Sequence, residues 1–119
     1  MRILAVLIAA TFFLAACSSG PESAATKFTT AAAQGQTAEA LELLDPQLKE
    51  TLGPKLPLVM AGARNRTDAR GGLKSVKVKK LSQDGDYATV QISVLYNDES
   101  GTTETGRLRR VQGKWYITM

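Results

Sequence analysis

The sequence predicts an α+β protein in which N-terminal helices pack on a curved four-strand antiparallel sheet. Apolar residues recur at helical spacing in the first half of the chain, whereas from Leu73 onward they alternate with polar residues. All predicted helices precede all predicted strands, and this segregated order favours a helical layer over one face of a sheet. A length of 119 residues leaves room for one small domain.

Three helices are predicted in the first half of the chain. One covers residues 22–34 and stops at Gly35, a residue type that commonly ends helices. A second begins near Thr37, and a third opens at Asp45-Pro46, where Asp45 is the expected cap of the helix. The capping role is the simplest explanation of this aspartate.

The next two segments carry weaker signals. Residues 54–63 are apolar but contain two prolines, so they predict at best a short or broken helix. Residues 64–72 are polar and end in a pair of glycines, which is typical of a loop. Three basic side chains are therefore expected on that loop: Arg64, Arg66 and Arg70.

Four strands are predicted from Leu73 to the C-terminus. Asp84-Gly85 is a strong signal for a two-residue hairpin turn, and Gln112-Gly113-Lys114 is a second turn. Trp115 is expected in the core because Ile117 shares its strand face. One face of the second strand is apolar or aromatic at every position: Ala88, Val90, Ile92, Val94 and Tyr96.

The N-terminus has the pattern of a secretion signal. Met1-Arg2 is a basic start, and residues 3–16 contain no charged side chain, a stretch too short for a comfortable membrane span. The motif that follows, Leu14-Ala15-Ala16-Cys17, resembles the lipobox of bacterial lipoproteins. The resemblance implies cleavage before Cys17 and acylation of this residue, the only cysteine of the chain, with chains such as palmitate.

Three segments are therefore expected: a lipoprotein signal peptide at 1–16, the acylated Cys17 with its tether at 17–22, and the α+β domain at 23–119. The alternatives are an ordinary signal peptide with a chance cysteine, or an uncleaved anchor. Ser18-Ser19 resembles the sorting pattern of outer-membrane lipoproteins, because an aspartate after the cysteine is the usual inner-membrane retention signal. The expected location is the cell envelope, on the outer membrane facing the periplasm in a Gram-negative bacterium.

Several segments together resemble nuclear-transport-factor-two-like domains, the cystatin-like cones, and within them a family of small bacterial lipoproteins of unknown function. The resemblance covers about residues 21–118 and rests on patterns of fold. It implies helices against a strongly bent sheet with a pocket between them, in a superfamily that contains enzymes, ligand binders and assembly modules. The segments are Leu43-Leu44-Asp45-Pro46, Lys49-Glu50-Thr51-Leu52-Gly53, the run from Gln83 to Val90, and Gly113-Lys114-Trp115-Tyr116-Ile117.

The residue inventory argues against catalysis. The chain contains no histidine, which excludes a Ser-His-Asp triad and any His-ligated zinc site. No carboxylate is predicted to face the apolar interior, where a general base with a raised pKa would have to lie. Six acidic residues fall in turns, in a loop or on a polar strand: Asp68, Asp84, Asp86, Asp98, Glu99 and Glu104. We expect neither a metal nor a cofactor.

Basic residues cluster on two of the predicted strands. The run Lys74, Lys77, Lys79 and Lys80 is expected to be a solvated strand face whose lysines protect a sheet edge. Arg107, Arg109 and Arg110 could add a weak positive rim for anionic headgroups. A nucleic-acid partner is not expected, because secretion removes the protein from nucleic acid and no aromatic residues interleave the lysines.

The sequence therefore predicts a membrane-anchored lipoprotein that acts as a binding or interaction module. A pocket between the first helix and the sheet is expected to hold a small apolar ligand, with a predicted lining of Phe28, Val90, Ile92, Val94 and Tyr96. One alternative is an assembly protein with a filled core that binds an envelope protein, or a second copy of itself, through the outer sheet face. A remoter alternative is an isomerase-like or lyase-like enzyme.

Overall fold

The computed structural model describes residues 20–119, and helices occupy the first half of this range. The predictions for the signal peptide at 1–16 and for Cys17 lie outside the described residues. The elements are α1 Pro21–Gln34, α2 Thr37–Glu42, α3 Pro46–Leu52, a 3₁₀ turn Gly53–Lys55, α4 Leu56–Ala69, β1 Leu73–Asp84, β2 Tyr87–Tyr96, β3 Gly101–Val111 and β4 Lys114–Thr118. The predicted α+β class, with helices on a four-strand antiparallel sheet, is confirmed.

Helix α1 begins and ends at residues suited to those positions. Pro21 occupies its first turn, where no backbone N–H is needed, so the two residues Pro21 and Glu22 belong to the helix rather than to a tether. Gly35 ends the helix in the left-handed conformation, with φ 69°. The left-handed conformation favours glycine, and a Cβ atom there would lie 2.8 Å from the exposed Arg64 side chain and displace it.

The predictions of a broken helix at 54–63 and a loop at 64–72 are wrong, because most of both segments forms α4. The two prolines do not interrupt it: Pro54 lies in the preceding 3₁₀ turn, and Pro57 lies in the first turn of α4. The buried residues of this helix are Leu56, Met60 and Thr67. Most of its polar residues are exposed to solvent, and Thr67 is the buried exception.

The sheet has the order β1-β2-β3-β4, and all its neighbours are antiparallel. Its two edges differ. At the β4 edge, the chain between α2 and α3 adds a short parallel bridge, in which Ile117 donates to the Leu43 carbonyl (2.7 Å) and accepts from the Asp45 N–H (2.8 Å). At the β1 edge the lysines of the basic run are exposed, as expected of edge-protecting residues: Lys74, Lys77, Lys79 and Lys80.

Two apolar clusters fill the space between helices and sheet. The first joins α1 to the sheet through Ala24, Ala25, Ala88, Val90, Leu108 and Trp115. The second joins the helices to one another through Ala31, Ala40, Leu44, Leu56 and Met60, and Ile117 packs against both clusters. Trp115 is 8% exposed, which confirms its predicted place in the core. No helix within residues 20–119 is long and apolar enough to cross a membrane.

Candidate functional site

A pocket of about 160 Å³ opens between α1, α4 and the strands β2 and β3, and we call it the cone pocket. A cavity of roughly 150 Å³ is large enough to hold benzene, so the cone pocket has room for a small organic molecule. Its apolar part is formed by Ala32, Ala33, Ala63 and Val94. Its polar and charged part is formed by Thr29, Arg66, Thr67, Arg70, Tyr96, Thr102 and Glu104.

Strand register explains how β3 brings polar groups to this site. Glu104 pairs with Ile92 and Thr102 pairs with Val94, and directly paired residues point to the same side of a sheet. Both therefore face the helices. The expectation that no carboxylate faces this side is wrong for Glu104, which lines the pocket as an exposed residue.

Helix α4 and the residue that follows it supply two arginines. Arg66 and Thr67 lie three and four residues after Ala63, and Arg70 lies three and four residues after them, so the four share one helix face and all line the cone pocket. The Thr67 hydroxyl is already used, since it donates to the Ala63 carbonyl at 2.8 Å. The expected loop location of Arg66 is therefore corrected to a rigid helix, and Arg70 is the residue that ends it.

Arg70 is held in place by its neighbours. Its guanidinium carbon lies 5.1 Å from the centre of the Tyr96 ring, within the range of a cation–π contact. The pKa of Asp98 is lowered, first by hydrogen bonds from Ser100 and to a smaller extent by the charge of Arg70. Arg70 therefore has a defined orientation beside the pocket.

The predicted pocket residues divide into two groups. Val94 and Tyr96 line the cone pocket. Val90 is fully buried in the first cluster, Ile92 packs against that cluster, and Phe28 packs against the second. The strand pattern identified the correct face of β2, but the register of β3 decides which half of that face stays open.

Sequence reasoning missed Thr29, Arg66, Arg70, Thr102 and Glu104. The alternation of β3 residues could have identified two of them, Thr102 and Glu104. Leu108 is fully buried opposite Ala88, and Glu104 and Thr102 differ from it by even numbers of residues, so strict alternation places them on the same face.

Asp45 is the other acidic residue that needs explanation, because it is only 2% exposed. Its carboxylate accepts hydrogen bonds from the Gln47 N–H (3.1 Å) and the Thr118 hydroxyl (2.9 Å), and it lies 3.5 Å from an Arg109 nitrogen. Burial alone raises the pKa of Asp45, but these hydrogen bonds and the Arg109 charge outweigh it and lower the pKa below its ordinary value. The predicted helix-capping role is confirmed, and the carboxylate also ties α3 to β4.

Metal-binding groups do not cluster in this part of the molecule. Within residues 20–119, no three His, Cys, Asp or Glu side chains lie close enough together to hold an ion. The polar groups of the cone pocket are instead guanidinium, hydroxyl and carboxylate groups, which recognise small molecules through hydrogen bonds and charge.

The fold is that of nuclear-transport-factor-two-like (NTF2-like) proteins. A crystal structure from Campylobacter jejuni, provisionally named an NTF2-like transpeptidase, is similar at 22% identity with a TM-score of 0.76, over 85% of this chain and 99% of that one. A SEC-C-motif-containing protein from Rhodopseudomonas palustris, solved in solution, is similar at 18% identity with a TM-score of 0.53, over 86% and 77% of the two chains. No family model and no curated protein matches the sequence.

Proposed function

We propose that this protein is a lipid-anchored lipoprotein of the cell envelope whose cone pocket binds a small molecule. The observation that supports binding most directly is the open space at one end of the sheet, between α1, α4 and β3. The rest of the same face is filled by side chains such as Val90 and Leu108. An NTF2-like fold is compatible with this role, although a fold alone does not decide function.

The lipobox-like motif ending in Cys17 supports the anchor. Only two residues separate Cys17 from Gly20, and α1 begins at Pro21, so the chain can span at most about 10 Å between anchor and domain. That end of the domain would then lie against the bilayer. Gly20, Lys27, Lys114 and Trp115 line a recess there. Its two lysines would meet anionic headgroups, at about 1 kcal/mol each.

Mass spectrometry and fractionation test the anchor. In a bacterial host, the wild-type protein is expected in the membrane fraction, with a mass that lacks residues 1–16 and carries added acyl chains. The Cys17→Ser variant is expected without acyl chains and outside the membrane fraction, while Ser18→Ala serves as a neighbouring control that stays anchored. An unmodified wild-type chain of full mass would contradict the anchor.

Native mass spectrometry of the full-length protein in detergent tests pocket binding. Thr102→Trp places a large ring at the cone pocket, and Thr103→Trp places the same ring on the opposite face of β3. Wild type and Thr103→Trp are expected to bind a small molecule from a metabolite mixture, and Thr102→Trp is expected to lose it. Equal binding by all three, or binding by none, would contradict the proposal.

The two alternative functions, assembly protein and enzyme, would each require other structural features. An assembly protein with a filled core has no need of the open cone pocket. A proton-transfer enzyme would need a base shielded from water, whereas Glu104 is exposed at the pocket. Binding is therefore the function that the pocket's geometry supports best, and the proposal includes no catalytic step.

A further inference from the structure

The cone pocket contains three charged groups that lack ion-pair partners. Within residues 20–119, ion pairs closer than 4.0 Å join Arg64 to Asp68, Arg109 to Asp45, and Arg110 to Asp86. None of them includes Arg66, Arg70 or Glu104, although all three line one pocket. Two positive charges and one negative charge of the pocket are therefore without an ion-pair partner in this range, although Arg70 also contacts the Tyr96 ring and its charge acts on Asp98.

These charges make a wholly apolar ligand a poor fit. Such a ligand would remove water from guanidinium and carboxylate groups without replacing their hydrogen bonds, which costs free energy. A carboxylate, by contrast, matches the planar N–H groups of a guanidinium in both charge and geometry. Arg66 and Arg70 lie one helical turn apart on the same face, so both can reach one ligand.

Glu104 narrows the choice of ligand further. It lies on the opposite wall of the pocket, on β3 rather than α4, and would repel a ligand that carries only negative charge. An ammonium group on the ligand would remove this repulsion and gain a charge-assisted hydrogen bond. The remaining surface is built from alanine methyl groups and Val94, which suits a small aliphatic group.

We propose that the cone pocket binds an amino-acid zwitterion with a small aliphatic side chain. Arg66 and Arg70 bind its carboxylate, Glu104 binds its ammonium group, and Val94 with the neighbouring alanines contacts its side chain. The size of the pocket, about 160 Å³, fits such a molecule. This inference rests on the proposed function, because it assigns a ligand class to the same pocket.

Three small probes that differ in their charged groups separate the two charges. Isothermal titration calorimetry on the full-length protein in detergent compares L-alanine with propionate, which lacks the amine, and with ethylamine, which lacks the carboxylate. L-alanine is expected to bind at least about tenfold more tightly than either probe, since each loses one charge-assisted interaction. Propionate binding as tightly as L-alanine would overturn the role of Glu104.

Variants assign each interaction to its residue. Arg66→Ala and Arg70→Ala are each expected to weaken L-alanine binding by about tenfold or more. Arg64→Ala is the matched control: it removes the same side chain from the same helix, but Arg64 pairs with Asp68 outside the cone pocket, so affinity is expected to stay within about twofold. Glu104→Gln is expected to reduce the preference for L-alanine over propionate.

Benzene and L-alanine together distinguish failure of the inference from failure of the proposed function. Benzene binding that Thr102→Trp abolishes, with no L-alanine binding, would overturn the amino-acid class and leave a binding pocket. No binding of either probe or of any metabolite would overturn both. L-alanine binding that neither Arg66→Ala nor Arg70→Ala weakens would also overturn the inference.

Discussion

The helix-facing side of the sheet has two halves that differ in what covers them. In one half, Ala88 and Val90 pack with Leu108 and Trp115 against α1, and the space is filled. In the other half, further along the same strands, Val94 and Tyr96 lie beside the cone pocket. We call these the filled half and the open half.

The difference comes from β3 rather than from β2. Strand β2 is apolar along the whole face, but its partners on β3 change from Leu108 in the filled half to Glu104 and Thr102 in the open half. A polar or charged partner is stable where water or a ligand can reach it and costly where it is buried. One strand thus sets the side of the sheet that faces the helices, and its neighbour decides where that side remains open.

The largest contrast between the halves is expected from a buried charge. Val90 is fully buried, so Val90→Asp places an unpaired carboxylate in the filled half and is expected to cost several kcal/mol, comparable with the whole stability of a small domain. Thr102→Asp makes the same carboxylate in the open half, where it is exposed, and is expected to fold. Circular dichroism and limited proteolysis distinguish them. Native-like folding of both variants would remove the distinction between halves.

A smaller contrast is expected from removing apolar groups. Leu108→Ala leaves a cavity in the filled half and is expected to lower the free energy of unfolding by about 2–5 kcal/mol. Val94→Ala enlarges a space that is already open, so it is expected to cost about 1 kcal/mol or less. Urea denaturation of the full-length variants in one detergent gives both free energies of unfolding. Equal losses of stability in the two variants would contradict the division into a filled and an open half.

Asp45 gives the β4 edge a pH dependence. Its pKa is lowered in the folded state, so its contribution to stability is full above the unfolded pKa of about 3.9 and declines as the pH falls toward the lowered folded value. Asp45→Asn lacks this contribution. Its melting temperature should therefore lie below that of wild type near pH 7, and the gap should narrow below about pH 4.

An exposed aspartate provides the control for that experiment. The side chain of Asp68 is 67% exposed and pairs with Arg64 at 3.8 Å, so Asp68→Asn should change the melting temperature little at any pH. A gap between wild type and Asp45→Asn that stays constant down to pH 2 would mean that the Asp45 charge does not stabilise the fold.

The smallest effects on stability are expected from the pocket arginines. Arg66→Ala and Arg70→Ala break no ion pair among residues 20–119. Arg66→Ala removes a helix-terminal charge and Arg70→Ala also removes the contact with the Tyr96 ring, so each is expected to cost at most about 1 kcal/mol. Arg109→Ala is the comparison outside the cone pocket, on the outer face of β3. It deprives buried Asp45 of a partner and is expected to cost about 1–3 kcal/mol by urea denaturation. A larger loss of stability in Arg66→Ala or Arg70→Ala than in Arg109→Ala would mean that the pocket arginines stabilise the fold.

Local patterns were sufficient to predict most of the fold. The alternation in β2, the hairpin signalled by Asp84-Gly85 and the cap at Asp45 each depend on neighbours in the chain, and each is found in the structure, with Gly85 and Asp86 as the two turn residues. The predicted break and loop are wrong at α4, because a proline in the first turn of a helix costs little and polar side chains are stable at the exposed positions of a packed helix.

The site was harder to predict because it depends on contacts between distant segments. Tyr96 and Val94 could be placed near a pocket from β2 alone. Arg70 and Glu104 lie 34 positions apart on different elements, and their meeting depends on how α4 packs and on the register of β3. The apolar face of β2 alone predicts an apolar ligand, whereas the charged side chains of the cone pocket belong to α4, to the residue that follows it and to β3.

The central claim is that the open half of the sheet is a binding site and the filled half is not. The most direct measurement is a ¹H–¹⁵N NMR titration of the full-length protein in detergent with L-alanine. The account predicts the largest shifts at amides of the cone pocket, such as Ala63, Thr102 and Glu104, and little change at Ala25 and Leu108. Shifts centred on the filled half would contradict it, and no shift with either L-alanine or benzene at saturation would contradict it as well.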